Sequence, residues 1–436
     1  MAHRSELAEP NDYITREIIG ENILVVRGRD KVLRAFYNVC PHRGHQLLAG
    51  DGRAKNVITC PYHAWAFKLD GELAHARNCE NVQNFDKENS HLVPVRVEEY
   101  AGFIYVNLDS QAGTVEDQLP GLGAKVREAC PQVDDLKLAA RFVTRTPANW
   151  KNIVDNYLEC YHCGPAHPGF ADSVQVDRYW HTLHGNWTLQ FGYARPSEQS
   201  FKFEEGKEAS FHGIWLWPCT MFNMPPLEGM MTVIYEFPVD AETTLQHYDI
   251  YFTNADLSDE QLKLIDWYRD VFRPEDLRLV ESVQKGLKSR GYRGQGRIMA
   301  DGAGSGVSEH GIAHFHNLLA QVYQRLMRRG PMAPPLTCEV LVNISDRALF
   351  RQQAYINGQW RDARQPGNPA GERSRHRPNS SAACPTWRRP KPNGRSDAAQ
   401  AGAGRLARAA GATARAAAAP LVRTDAGTPA GSGQPE

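Results

Sequence analysis

Two short loops limit what the front of this chain can become. Cys40-Pro41-His42-Arg43-Gly44 and Cys60-Pro61-Tyr62-His63 each offer one thiolate and one imidazole, and seventeen residues separate His42 from Cys60. Four such ligands meet only if the loops stand side by side on a rigid frame. The flanking sequence supplies one: DYITREII, NILVVRGRD, VLRAFYNV, NVITCPY and LVPVRVEEYAGFIYVNL read as short alternating strands. Turn residues fall about every eight to twelve positions, the pattern of a small β-sandwich or barrel. The proline after each cysteine pre-sets a tight turn.

Two Cys and two His suit either a structural zinc or a [2Fe–2S] cluster of the Rieske type, in which thiolates hold one iron and imidazoles the other. Zinc modules pair like with like, as C-x2-4-C and H-x3-5-H. Here each loop mixes the two ligand types, which favours Cys40, His42, Cys60 and His63 as cluster ligands.

A second constellation lies in Asn149–Phe170, NWKNIVDNYLECYHCGPAHPGF. A helix running to His162 would put Asp155, Glu159 and His162 at i, i+4 and i+7, on one face. Gly164 and Pro165 end such a helix and leave His167 in the next loop, free to turn back. Two histidines with a distant carboxylate form the ligand set of a mononuclear non-haem Fe(II) site with open positions for O2. An H-x4-H pair by itself is weak, because most histidines serve local surface or core roles. Cys160 and Cys163 share the stretch, but their spacing is helical, and a redox dithiol is not expected. Cys79, Cys130, Cys219, Cys338 and Cys384 read as plain thiols.

The length of 436 residues allows two domains and a tail. Fifty basic residues balance fifty acidic ones, which gives no case for nucleic acid or an anionic membrane as main partner. No run approaches the roughly twenty apolar residues of a membrane span, and the amino terminus lacks a signal pattern. A cytoplasmic protein is expected.

Taken together, C-P-H-R-G…C-P-Y-H-x-W-x-F and N-W-K…E-C-Y-H-x4-H resemble the oxygenase component of the Rieske non-haem iron oxygenases, from the start to about Arg329. DNYLECYHCGPAHPGF and RPEDLRLVESVQKGLKSRGYRGQGRIMADG place the resemblance in the quaternary-ammonium branch, among its carnitine-cleaving members. The resemblance implies an α+β protein: an all-β Rieske domain (1–115) and a helix-grip catalytic domain (116–329) with an antiparallel sheet on helices. It implies Asp276 as third iron ligand, with Glu275 in reserve. Both also suit the first turn of a helix after Pro274, where negative charge complements the dipole. It further implies that Glu159 passes electrons between the centres of neighbouring subunits in a homotrimer, where most members carry aspartate. Asp155 is expected to orient ligands or to be a solvated helix carboxylate.

The implied reaction is oxidative C–N cleavage of carnitine to trimethylamine and malic semialdehyde, with O2 as cosubstrate. GQGRIMADGAGSG lacks the strand-to-helix setting of a phosphate loop. Electrons are therefore expected from a separate reductase, which the resemblance implies oxidises NAD(P)H through a flavin and an iron–sulfur centre. A trimethylammonium group donates no conventional hydrogen bond and needs aromatic faces. Tyr157, Trp180, Trp187, Trp215, Trp217 and Tyr235 are available, with Tyr157 and Trp215 the first to test. Demethylation of another betaine, aromatic-ring oxygenation, a pure Rieske electron carrier and a zinc-stabilised binding protein are the rival readings.

The ends depart from the family pattern. The start at Met1 corresponds to the middle of the usual first region, which suggests a shortened amino terminus. From Gly330 onward LFRQQAYINGQWRDA resembles the amino terminus of an aldehyde dehydrogenase, followed by Pro/Arg/Ala/Gly-rich sequence. Residues 330–436 are expected to be disordered, as a read-through and frameshift product.

Overall fold

The computed structural model describes residues 1–328 apart from 199, 205–208 and 295, together with 353–356 and 359–362. The chain divides into two units, residues 1–337 and 338–436. Of the stretch 330–436, expected to be disordered, only the strands Gln353–Ile356 and Gln359–Asp362 are described, and they pair as an antiparallel hairpin; the rest lies outside the described residues.

The front of the first unit is all β. Strands β1 (Ala2–His3), β2 (Asp12–Ile18), β3 (Glu21–Arg27), β4 (Leu33–Tyr37), β5 (Asp51–Arg53), β9 (Pro94–Tyr100) and β10 (Phe103–Asn107) form one antiparallel sheet, in the order β1-β10-β9-β4-β3-β2-β5. Strands β6 (Val57–Thr59), β7 (Ala66–Lys68) and β8 (Leu73–His75) form a small second sheet. A core of Leu24, Val26, Phe36, Ile58, Phe67 and Leu73 joins the two sheets. Each such side chain taken fully from water contributes roughly 1.5–3 kcal/mol.

Two short helices, α1 (Val115–Gln118) and α2 (Leu122–Ala129), carry the chain onward and are broken at Pro120 and Gly121. Gly121 adopts φ +78, a left-handed conformation that few side chains tolerate. Strand β11 (Lys137–Thr146) then enters the catalytic sheet. It is followed by α3 (Trp150–Tyr157), α4 (Cys163–Ala166) and α5 (Pro168–Ser173). Strands β12 (Val174–Leu183), β13 (Trp187–Ala194), β14 (Ala209–Leu216), β15 (Thr220–Met224), β16 (Met230–Asp240) and β17 (Thr243–Phe252) complete a seven-stranded antiparallel sheet, ordered β11-β17-β16-β15-β14-β13-β12. Helix α6 (Asp259–Trp267), a π-helical turn (Tyr268–Phe272), α7 (Arg273–Leu287) and α8 (His310–Arg328) follow.

The expected helix through His162 is corrected. It stops at Tyr157, with Leu158 as its C-cap. One tertiary and one local bond draw the chain out of the helix there: Gln190 Nε2 donates to the Tyr157 carbonyl at 2.7 Å, and the Glu159 carboxylate accepts from the backbone N–H of His162 at 3.1 Å. Glu159 thus sits in a loop, not one turn above Asp155. Nor does a helix begin after Pro274, because α6, the π turn and α7 run on without a free amino terminus.

Candidate functional site

The early end of α3 brings the two histidines together. His162 is the last residue before α4 and His167 lies between α4 and α5, so one short helix spans the gap between them. Asp276 approaches from α7. His162 Nε2 lies 3.2 Å from His167 Nε2, and Asp276 Oδ1 lies 3.0 Å from the latter and 3.5 Å from the former. All three ligand atoms fall within 4.8 Å of one another, as one bound cation requires.

The opposite ring nitrogens are held by carboxylates. His162 Nδ1 is 2.5 Å from Glu159 Oε1, and His167 Nδ1 is 2.8 Å from Glu275 Oε2. Each carboxylate fixes its tautomer and turns the Nε2 lone pair toward the centre. Glu275, the reserve ligand, therefore faces the far side of His167, away from the site of coordination. Two imidazoles and one carboxylate on one side fit Fe(II) and leave the other side to O2 and substrate.

Electrostatics agree. Burial pulls the His162 imidazole down, but Asp276 and Glu159 outweigh it and lift it to about 9. Burial pushes the Asp276 carboxyl up, yet its bonds to His162 and His167 hold it well below the usual carboxylate range.

Asp155 is not part of this group. It bonds His316 Nε2 of α8 at 2.9 Å and neither His162 nor His167, because the helix ends before its face reaches them. The C-x-x-C expectation is also corrected. With the helix ended, Cys160 and Cys163 lie 4.9 Å apart at Cα and are joined as a disulfide. Cys79, Cys130 and Cys219 are free thiols, while Cys338 and Cys384 lie outside the described residues.

A cavity opens on the triad and is walled by Tyr157, Phe170, Phe211, Tyr248, Tyr268 and Phe272, among others. Of the six aromatics named for a cation, only Tyr157 lines it; its hydroxyl donates to Asn223 Oδ1 at 2.7 Å. Trp215 does not. Strand alternation turns it to the face covered by α3 and α8, where it is fully buried beside Trp217 and Phe315. Glu236, Gln246 and Arg273 also line the cavity, and sequence reasoning missed all three.

The paired loops of the β domain stand as the spacing predicts. Cys40 and Cys60 are buried at 1% and 2% exposure and are free thiols, while the His42 and His63 rings lie 4.6 Å apart. Burial raises the Cys40 thiol; the backbone N–H groups of His42 and Arg43, aimed at its sulfur, oppose that. The same donors would stabilise a cluster thiolate. Both loops close alike, with Gly44 N–H on the Cys40 carbonyl and Ala64 N–H on the Cys60 carbonyl. Two buried sulfurs and two outer imidazoles fit a Rieske [2Fe–2S] cluster.

Comparison with known proteins agrees with this geometry. Residues 1–86 match the Rieske [2Fe-2S] domain, and residues 133–325 match the catalytic domain of the ring hydroxylating alpha subunit. The chain is 82% identical over 324 residues to the carnitine monooxygenase oxygenase subunit of Escherichia coli K12, covering 74% of this chain and 87% of that protein. It is 72% identical over 325 residues to that of Acinetobacter baumannii, covering 74% and 88%. A crystal structure of a quaternary ammonium Rieske monooxygenase with its substrate L-carnitine superposes with a TM-score of 0.68 at 70% identity, covering 74% of this chain and 87% of that one. By its two domain matches and its likeness to these relatives, the chain belongs to the Rieske non-haem iron oxygenases, as an oxygenase subunit.

Proposed function

We propose that this chain is the oxygenase component of a two-component monooxygenase that cleaves the C–N bond of L-carnitine. The observation that carries the reading is the convergence of His162, His167 and Asp276 on the floor of an aromatic cavity. His162, His167 and Asp276 hold the iron, and Cys40, His42, Cys60 and His63 hold the cluster. Iron bound at the triad supplies the activation of O2. The chain's own residues do the rest: Glu159 and Glu275 orient the histidines, and the aromatic walls accept the trimethylammonium group while excluding water. Hydroxylation of the carbon next to nitrogen gives a carbinol that expels trimethylamine and leaves malic semialdehyde.

Glu159 also bonds the backbone of the iron-ligand loop, which suits a carboxylate that carries an electron path toward a neighbouring cluster. A homotrimer and a flavin and iron–sulfur reductase using NAD(P)H complete the proposal. Among the described residues no helix is long and apolar enough to cross a membrane. Incubation with reductase, NADH, O2 and either L-carnitine or glycine betaine tests it. Trimethylamine is expected from carnitine; demethylation of glycine betaine with no trimethylamine from carnitine would sink it. Cluster reduction with undiminished function after both H162A and H167A would favour the electron-carrier reading.

A further inference from the structure

Arg273 is a buried cation in the catalytic cavity, and among the described residues it has no ion pair. It is 7% exposed; Nη2 donates to Thr144 Oγ1 at 2.8 Å and Gln246 Oε1 at 3.3 Å, while Nε has no partner. Its remaining neighbours are the rings of Phe142 and Tyr248, 5.0 and 5.1 Å from Cζ. A guanidinium taken out of water without a counter-ion is costly by several kcal/mol. The half-buried Arg141 of the sheet, by contrast, is matched by Asp249 and Glu6. Arg273 is the cation left for an incoming anion.

Its neighbours are arranged for one. Gln246 links Arg273 to Glu236, donating from Nε2 to Glu236 Oε1 at 2.7 Å. Glu236 Oε2 is buried and unpartnered. Burial pushes the Glu236 carboxyl up to about 8, so near neutrality it carries a proton to donate and does not repel an anion. Arg273 also precedes Asp276 by three residues on α7, so both face the cavity. The backbone positions of Arg273 and Asp276 are thus offset by about 4.5 Å along the helix axis.

We propose that Arg273, supported by Gln246 and Glu236, is the specificity-determining anion subsite: it takes the substrate carboxylate and selects carboxylate-bearing quaternary ammonium compounds over choline, which has none. The proposal rests on the carnitine reading and deepens it. A planar guanidinium receives a carboxylate through two parallel bonds and so fixes the molecule's direction. With the acid end anchored, the carbon beside nitrogen is turned toward the triad.

The test is anaerobic titration of the iron-loaded holoenzyme with L-carnitine and with choline, by calorimetry, without reductase. R273Q is expected to weaken carnitine binding about 30- to 100-fold, the effect of losing a charged hydrogen-bond pair, and to leave choline binding within about threefold. R273K, which keeps the charge and loses the fork, is expected to weaken carnitine about tenfold and guards against a folding defect in R273Q. Equal carnitine affinity in wild type and both variants overturns the proposal, as does equal loss of both ligands with iron and cluster content intact. A wild-type enzyme that binds no carnitine overturns the substrate reading itself, and the subsite with it.

Discussion

Glu275 shows how much one hydrogen bond settles. Its carboxylate on His167 Nδ1 points the imidazole at the metal position. E275Q is expected to lower Fe(II) affinity about 10- to 100-fold while the Rieske EPR signal of the reduced protein stays unchanged. A loss of both centres would show a folding defect instead. The metal-free triad holds a proton that iron must displace, since His162 is lifted to about 9. Apparent Fe(II) affinity should therefore rise with pH, by about tenfold per unit below 9 if one proton leaves. Titrations at three pH values read the slope. In the metal-free protein the stability sign is opposite. A histidine raised above its ordinary 6.5 adds stability that is complete below 6.5 and fades as pH climbs through about 9. The histidine and cysteine candidates stand out because their types and spacings are chemically restrictive, whereas Asp276 rests on the resemblance alone. Arg273 does not stand out, because nothing local distinguishes it from any arginine near a helix start; its partners Thr144 and Gln246 come from β11 and β17.

Among elements, the loop after α3 governs the site, and α8 governs the loop. Gly311 of α8 packs so closely that an added Cβ would lie 2.5 Å from the Leu158 carbonyl oxygen. G311A is expected to destabilise the protein by about 1–3 kcal/mol through overpacking. It should also perturb the segment leading to Glu159, read as a lower melting temperature with reduced iron retention. An unchanged melt would remove α8 from this role. The helix boundary was misjudged because nothing in LECYH forbids a helix; Gln190 and Glu159 end it through contacts that no periodicity records. Strand β12 is weakly marked in the sequence for a related reason. VQVDRYWHTL alternates poorly, and β13 alone pairs with it at the sheet edge. The histidine-bearing loops of the β domain were plain because four ligands on two turns admit few arrangements.

Across the whole molecule, the β domain and the catalytic sheet are joined by buried charge. Arg141 on β11 bonds Asp249 on β17 at 2.7 and 2.6 Å, and reaches Glu6 of the first segment at 2.8 Å. The Tyr251 hydroxyl donates to Glu6 at 3.0 Å. Asp249 is wholly buried, so R141A would strand its charge, at an expected cost of about 3–5 kcal/mol in chemical denaturation. A loss under about 1 kcal/mol would make the cluster a surface-like pair. The catalytic family match ends at residue 325. Deletion of residues 338–436 is accordingly expected to leave cluster absorbance and carnitine turnover unchanged, and a lost centre would give that stretch a role. The two-domain order was readable from strand and motif spacing. This cross-domain cluster was not, since its members lie more than a hundred residues apart. Its consequence is thermal: a clamp of this kind prevents either half from melting alone, so a scanning calorimeter should record a single endotherm.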